Sequence, residues 1–97
     1  MLMMEIDAAG AVLMRGRLDA SQATAAQAFL DGCQGVVTLQ CAALEYLSSA
    51  GLGVLLKTHK RLLAAGGKLR LVAVGRHLAD IFKYSGFDQI LEIERAG

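Results

Sequence analysis

The chain has 97 residues, of which 55% are hydrophobic and 20% charged, with a formal net charge of +1. That length supports one domain around one core, and the apolar share excludes a disordered chain. The near-neutral balance lacks the concentrated basic surface that nucleic acid requires, so no nucleic-acid partner is expected. Cys33 and Cys41 are too few and too loosely spaced for a disulfide framework or a zinc site. They read as buried apolar thiols in a reducing cytoplasm. Met1 to Met4, followed by Glu5 and Asp7, has neither the basic flank nor the apolar run of a signal peptide. The longest apolar stretches are broken by Gly, Lys or Arg, so no direct membrane insertion is expected. A single cytoplasmic domain spanning residues 1–97 follows, with its oligomeric state left open.

In chain order, Met3 to Ile6 reads as a short strand and Ala8-Ala9-Gly10 as a turn. Ala11 to Arg17 alternates, with Val12, Met14 and Gly16 on one face and Leu13, Arg15 and Arg17 on the other. Asp19 and Ser21 are N-cap residue types before a helix over Ser21 to Asp31, which Gly32 closes. Val36 to Gln40 is a β-branched strand, and Ala42 to Leu47 reads as the one long loop. Ser48 and Ser49 cap the strongest helix, Ser49 to Ala65, ended by Gly66-Gly67. Its predicted apolar stripe is Leu52, Leu55, Leu56, His59, Leu62 and Leu63, with Lys57, Lys60 and Arg61 elsewhere on the helix. Lys68 to Val74 is a strand in which Leu69, Leu71 and Ala73 oppose Arg70, Val72 and Val74. A short helix from Arg76 to Ser85 stops at Gly86, and Ile90 to Glu94 is the last strand.

Strand–helix–strand repeated three times predicts an α/β domain with parallel neighbours. Arg15, Arg17, Thr38, Gln40 and Arg70 interrupt the strands, so the helices are expected mainly on one face of a mixed sheet, leaving the other partly wet. Functional groups of such sheets gather where strands pass into helices. Three junctions qualify: Gly16 to Asp19, Glu45 to Gly53, and Gly75 to His77. They place Asp19, Ser49 and Arg76 on one edge of the sheet.

Enzyme readings fail on particular residues, and no cofactor or metal is expected. A phosphate-binding loop needs Gly directly before Lys57-Thr58, and Leu56 stands there. A dinucleotide fingerprint from Gly51 and Gly53 lacks its third glycine, again at Leu56. A nucleophile elbow at Ser49 would require Gly in place of Leu47. His59 lies on the apolar stripe, where a core histidine bonded to a neighbour is the better reading, and His77 reads as a surface residue. Gly51 and Gly53 lower helix propensity in a first turn, which suits a surface that another chain approaches closely.

Four blocks, Gly16 to Ala20 (GRLDA), Tyr46 to Leu56 (YLSSAGLGVLL), Gly66 to Val74 (GGKLRLVAV) and Leu78 to Leu91 (LADIFKYSGFDQIL), resemble successive blocks of the STAS domain. The resemblance is to stand-alone bacterial anti-sigma factor antagonists. It implies a mixed sheet with helices mainly on one side, and no catalysis. It also implies a partner, an anti-sigma factor that is a serine kinase, bound so that the sigma factor is released. The family's phosphoacceptor falls on Ser49, with Ser48 as second candidate, standing where many members carry Asp. Its Asp after Gly-x-Leu falls on Asp19, and Gln40 stands where a strand-end Asp or Asn is common. Asp19, Tyr46, Leu47, Ser48, Gly51, Leu52, Gly53 and Arg76 are the implied partner-binding residues. The same resemblance leaves a second role open, an unphosphorylated STAS subunit of a lipid-transport (ABC-type) or other multiprotein assembly.

Overall fold

A computed structural model describes residues 1–96. Its elements are β1 (Leu2–Ile6), β2 (Val12–Leu18), α1 (Ala23–Asp31), β3 (Val36–Leu47), α2 (Ser49–Ala64), β4 (Lys68–Val74), α3 (Arg76–Ser85), a 3-10 turn (Phe87–Gln89) and β5 (Glu92–Arg95). Sheet order follows chain order, β1-β2-β3-β4-β5. Only the β1–β2 pair is antiparallel; β2–β3, β3–β4 and β4–β5 are parallel. Right-handed crossovers that all step in one direction put all three helices on one face of the sheet. Burial agrees. Val12 and Met14 of β2, Leu39 and Cys41 of β3, and Leu69 and Leu71 of β4 are buried with Leu30, Leu55, Leu62 and Phe82 of the helices. The opposite face is polar and cross-linked: Arg15 pairs with Glu5, Lys68 with Glu92, and Arg70 with Glu92 and Glu94. The one-sided α/β sheet expected from the sequence is the observed architecture.

The predicted loop over Ala42 to Leu47 is instead strand. The register against β2 is the reason. From Leu13↔Gln40 to Arg15↔Ala43, two steps along β2 match three along β3; from Gly16↔Leu44 to Arg17↔Tyr46, one step matches two. Each shift is a bulge that inserts one residue into β3. After Val37, Leu39 and Cys41, the buried positions therefore fall at Leu44 and Leu47, three apart, and a period-two reading loses them. β4 departs in the same way: Val74, and not Ala73, is buried, because Ala73 takes φ 55 and turns the strand over. An alanine there costs about 1 kcal/mol.

On α2 the buried residues are Gly51, Val54, Leu55, Thr58, His59 and Leu62. The stripe is thus rotated from the predicted one: Leu52 and Leu56 flank it, and Leu63 is 53% exposed. Thr58 is a polar group the stripe had excluded, and it is satisfied by Gln27 of α1, whose Nε2 donates to its Oγ1 at 3.1 Å. His59 is the core histidine expected, its Nδ1 accepting the Leu69 backbone N–H at 3.1 Å. That bond ties α2 to the start of β4 and requires an unprotonated Nδ1. Both cysteines are free, but only Cys41 is buried; Cys33 is half-buried. Burial pushes the Cys41 thiol up to about 12, leaving it inert.

Candidate functional site

The corner where β2 and β3 end is built from the backbone outward. Ser48 is extended at φ −86, ψ 173, and its Oγ accepts the Gly51 N–H at 3.2 Å, which makes it the N-cap of α2. Its own N–H donates to the Leu18 carbonyl at 3.0 Å, fastening the start of α2 to the end of β2. Beneath it, Leu18 and Leu47 are buried. Gly51 rests on both: a Cβ there would stand 2.7 Å from the Leu18 carbonyl oxygen, 2.8 Å from Leu47 Cδ1 and 2.9 Å from Leu18 Cγ. Glycine is needed so that the helix can sit on the strand ends.

Ser49 is the first helical residue and is exposed. Among the described residues its hydroxyl has no hydrogen-bond partner in the chain. Free N–H groups and the helix dipole surround it, a setting that tolerates an anion. Gly53, one turn further, is exposed and would meet nothing within 4 Å on gaining a Cβ. It opens onto a groove of about 630 Å³ between α1 and α2, walled also by Thr24, Ala28, Ala50 and Lys57.

A model of the STAS domain matches residues 2–96. The chain belongs to the STAS domain family. It is 39% identical over 57 residues to BtrV of Bordetella bronchiseptica, a candidate anti-sigma factor antagonist; the match covers 59% of this chain and 49% of BtrV. The aligned part therefore spans about half the length of that relative. The fold is similar to a crystal structure of a candidate anti-sigma factor antagonist from Thermotoga maritima, with a TM-score of 0.79 and 19% identity over 96% of this chain and 85% of that one. It is similar also to the anti-sigma factor antagonist SpoIIAA in its unphosphorylated form, with a TM-score of 0.70 and 18% identity over 100% of this chain and 90% of that one. SpoIIAA of Bacillus in its phosphorylated form gives 0.68 and 20% over 96% and 90%.

Within this STAS domain the implied site residues separate into two sets. Leu47 and Gly51 are buried inside the fold, so they shape the surface from below. Ser48 and Leu52 are half-buried, while Ser49 and Gly53 are exposed. Asp19 joins the corner through the Leu18–Ser48 bond but does not cap α1 as expected. Its carboxylate accepts the Ser21 N–H at 3.0 Å and the Ser21 hydroxyl at 2.6 Å, closing a turn ahead of the helix. Those bonds, the hydroxyl's first, hold its carboxyl below the ordinary value. Arg76, the first residue of α3, has no hydrogen bond or ion pair to Asp19, Ser48 or Ser49 among the described residues.

Two interactions, one at the corner and one at the opposite end of α2, were not legible in the sequence. The Arg17 guanidinium lies 4.2 Å from the centroid of the Tyr46 ring. These are register partners across β2 and β3, so Tyr46 is held on the open sheet face by a cation–π contact. Arg61 Nη2 donates to the carbonyls of Leu30 and Cys33, both at 2.9 Å, and so closes the C-terminus of α1 from α2. Both pairings depend on which residues the sheet and helices bring across from each other. Among the described residues, no helix is long and apolar enough to cross a membrane.

Proposed function

We propose that this STAS domain is a cytoplasmic anti-sigma factor antagonist. Unphosphorylated, it binds a serine-kinase anti-sigma factor through the Ser49 corner and so frees the sigma factor; phosphorylation of Ser49 ends that binding. The observation that carries the reading is the contrast between the two serines. The Ser48 hydroxyl is engaged in the helix cap, whereas the exposed Ser49 hydroxyl is available for transfer. Similarity to BtrV supports the partner class, and likeness to SpoIIAA in both its forms supports a fold that tolerates the modification.

Phosphate on Ser49 adds about −1.5 to −2 charges at the N-terminus of α2. The dipole and free N–H groups offset the added charge by about 0.3–1 kcal/mol, so the domain keeps its structure. The effect falls on the partner. Ser49, Leu52 and Gly53 form the contact, with Ser48, Asp19, Tyr46 and Arg76 at its margin, and a dianion in their midst must be desolvated against a neutral surface. A penalty of about 2.7 kcal/mol weakens binding roughly a hundredfold.

Incubation with the cognate kinase and ATP, followed by mass spectrometry of the Tyr46–Lys57 region, is expected to place phosphate on Ser49. Ser49→Asp should bind the kinase about a hundredfold more weakly than wild type, with Ser49→Ala binding as wild type. An unmodified region, together with equal binding by both variants, would sink the switch and leave the unphosphorylated assembly subunit as the role.

A further inference from the structure

The two edges of the sheet are chemically opposite. β5 reads Glu-Ile-Glu-Arg, with Glu92 bound by Lys68 and Arg70, and Glu94 by Arg70. Charge of this kind protects an open strand from pairing. β1 reads Leu-Met-Met-Glu-Ile, and its single charge, Glu5, is already paired with Arg15 at 3.3 Å. Of seven large hydrophobic residues exposed among the described residues, three lie on or next to this strand: Met1, Met3 and Ile6, the last 61% exposed.

The backbone phase of β1 sharpens the contrast. At one end the Arg17 N–H donates to the Met1 carbonyl, and at the other the Asp7 N–H donates to the Ala11 carbonyl. Between them the register runs from Leu2↔Gly16 to Ile6↔Val12. Hydrogen-bonded residues alternate in an antiparallel pair. Met1, Met3, Glu5 and Asp7 therefore face β2, and the N–H and C=O groups of Leu2, Met4 and Ile6 face the bare edge. By the same alternation these three side chains stand on the helix-covered face. There Leu2 and Met4 line a groove of about 190 Å³ with Ala25 and Phe29 of α1.

We propose that β1 is the seam of a homodimer, two copies pairing antiparallel about a two-fold axis at Met4. That axis sets Met4 against Met4 of the second copy and Leu2 against its Ile6, so every outward backbone group is paired. The same pairs form an apolar ladder along the α1 groove and cover Ile6. A net charge of +1 puts little repulsion between the copies. Pairing β1 with β5 of another copy would set Met3 and Ile6 against Glu92, Glu94 and Arg95, so the contact closes as a dimer and does not propagate. A seam of this length belongs with small, reversible interfaces, with Kd about micromolar to millimolar. The antiparallel two-fold sets the Ser49 corners at opposite ends of the joint.

Sedimentation equilibrium of the full chain up to about 1 mM, together with amide hydrogen exchange by NMR, tests this seam. The expected result is a reversible dimer in which protection of the Leu2, Met4 and Ile6 amides rises with concentration while Met3 and Glu5 stay constant. Ile6→Lys should stay folded by circular dichroism and raise Kd at least about tenfold, while Ile90→Lys, at an exposed position away from β1, leaves Kd unchanged. A chain that is monomeric throughout, a dimer indifferent to Ile6→Lys, or protection induced only by another protein's extended segment would each overturn the proposal.

Discussion

Two strand-to-helix junctions meet at one edge of this sheet, and they are built differently. Between β2 and α1 lie four residues, Asp19 to Gln22, held by the Asp19 carboxylate on Ser21; the N-cap position, Gln22, offers no side-chain bond. Between β3 and α2 lies a single residue, Ser48, which caps the helix and donates to Leu18 while Gly51 packs on the strand ends below. The first junction is a turn closed at the surface, and the second is a joint locked from within. The exposed Ser49 hydroxyl therefore sits on a rigid mount, one residue past the cap. The first junction ends β2 with a carboxylate tied into its own turn.

Substitutions can break or sharpen this contrast. Gly51→Ala is expected to act most strongly: overpacking against the Leu18 carbonyl costs about 1–3 kcal/mol, and helix propensity returns no more than about 1 kcal/mol of it. The net loss should appear as a lower urea midpoint. Ser48→Ala removes the cap and should cost about 1 kcal/mol in the same assay. No change would mean that α2 is seated by packing alone. Gly53→Ala, two residues from Gly51 with open space around it, should instead stabilise by about 0.4–1 kcal/mol. A loss there would show that the groove beside α1 is tighter than it stands here.

The smallest effect belongs to the first junction. Bonding by Ser21 lowers the Asp19 carboxyl, so its contribution to stability is present above the unfolded-state carboxyl value and is lost as pH falls through the lower folded one. Ser21→Ala should move the Asp19 titration upward in an NMR pH series. An unmoved titration would detach Asp19 from the turn.

Much of this domain was written in local chemistry. Alternation in Val12 to Arg17, caps at Ser48 and Gly86, and the central run of Leu55, His59 and Leu62 each depend on residues within a few positions, so the element order, the one-sided sheet and the Ser48–Ser49 helix start were legible in the sequence. The buried fate of Leu47 and Gly51 was not, because it rests on Leu18, some thirty residues away in the chain. Nor were the bulges in β3, which arise from its register against β2 and turn a supposed loop into strand. Local patterns determine which segments become helix or strand. Only the packed sheet decides which of two adjacent serines keeps its hydroxyl for the helix and which leaves it exposed.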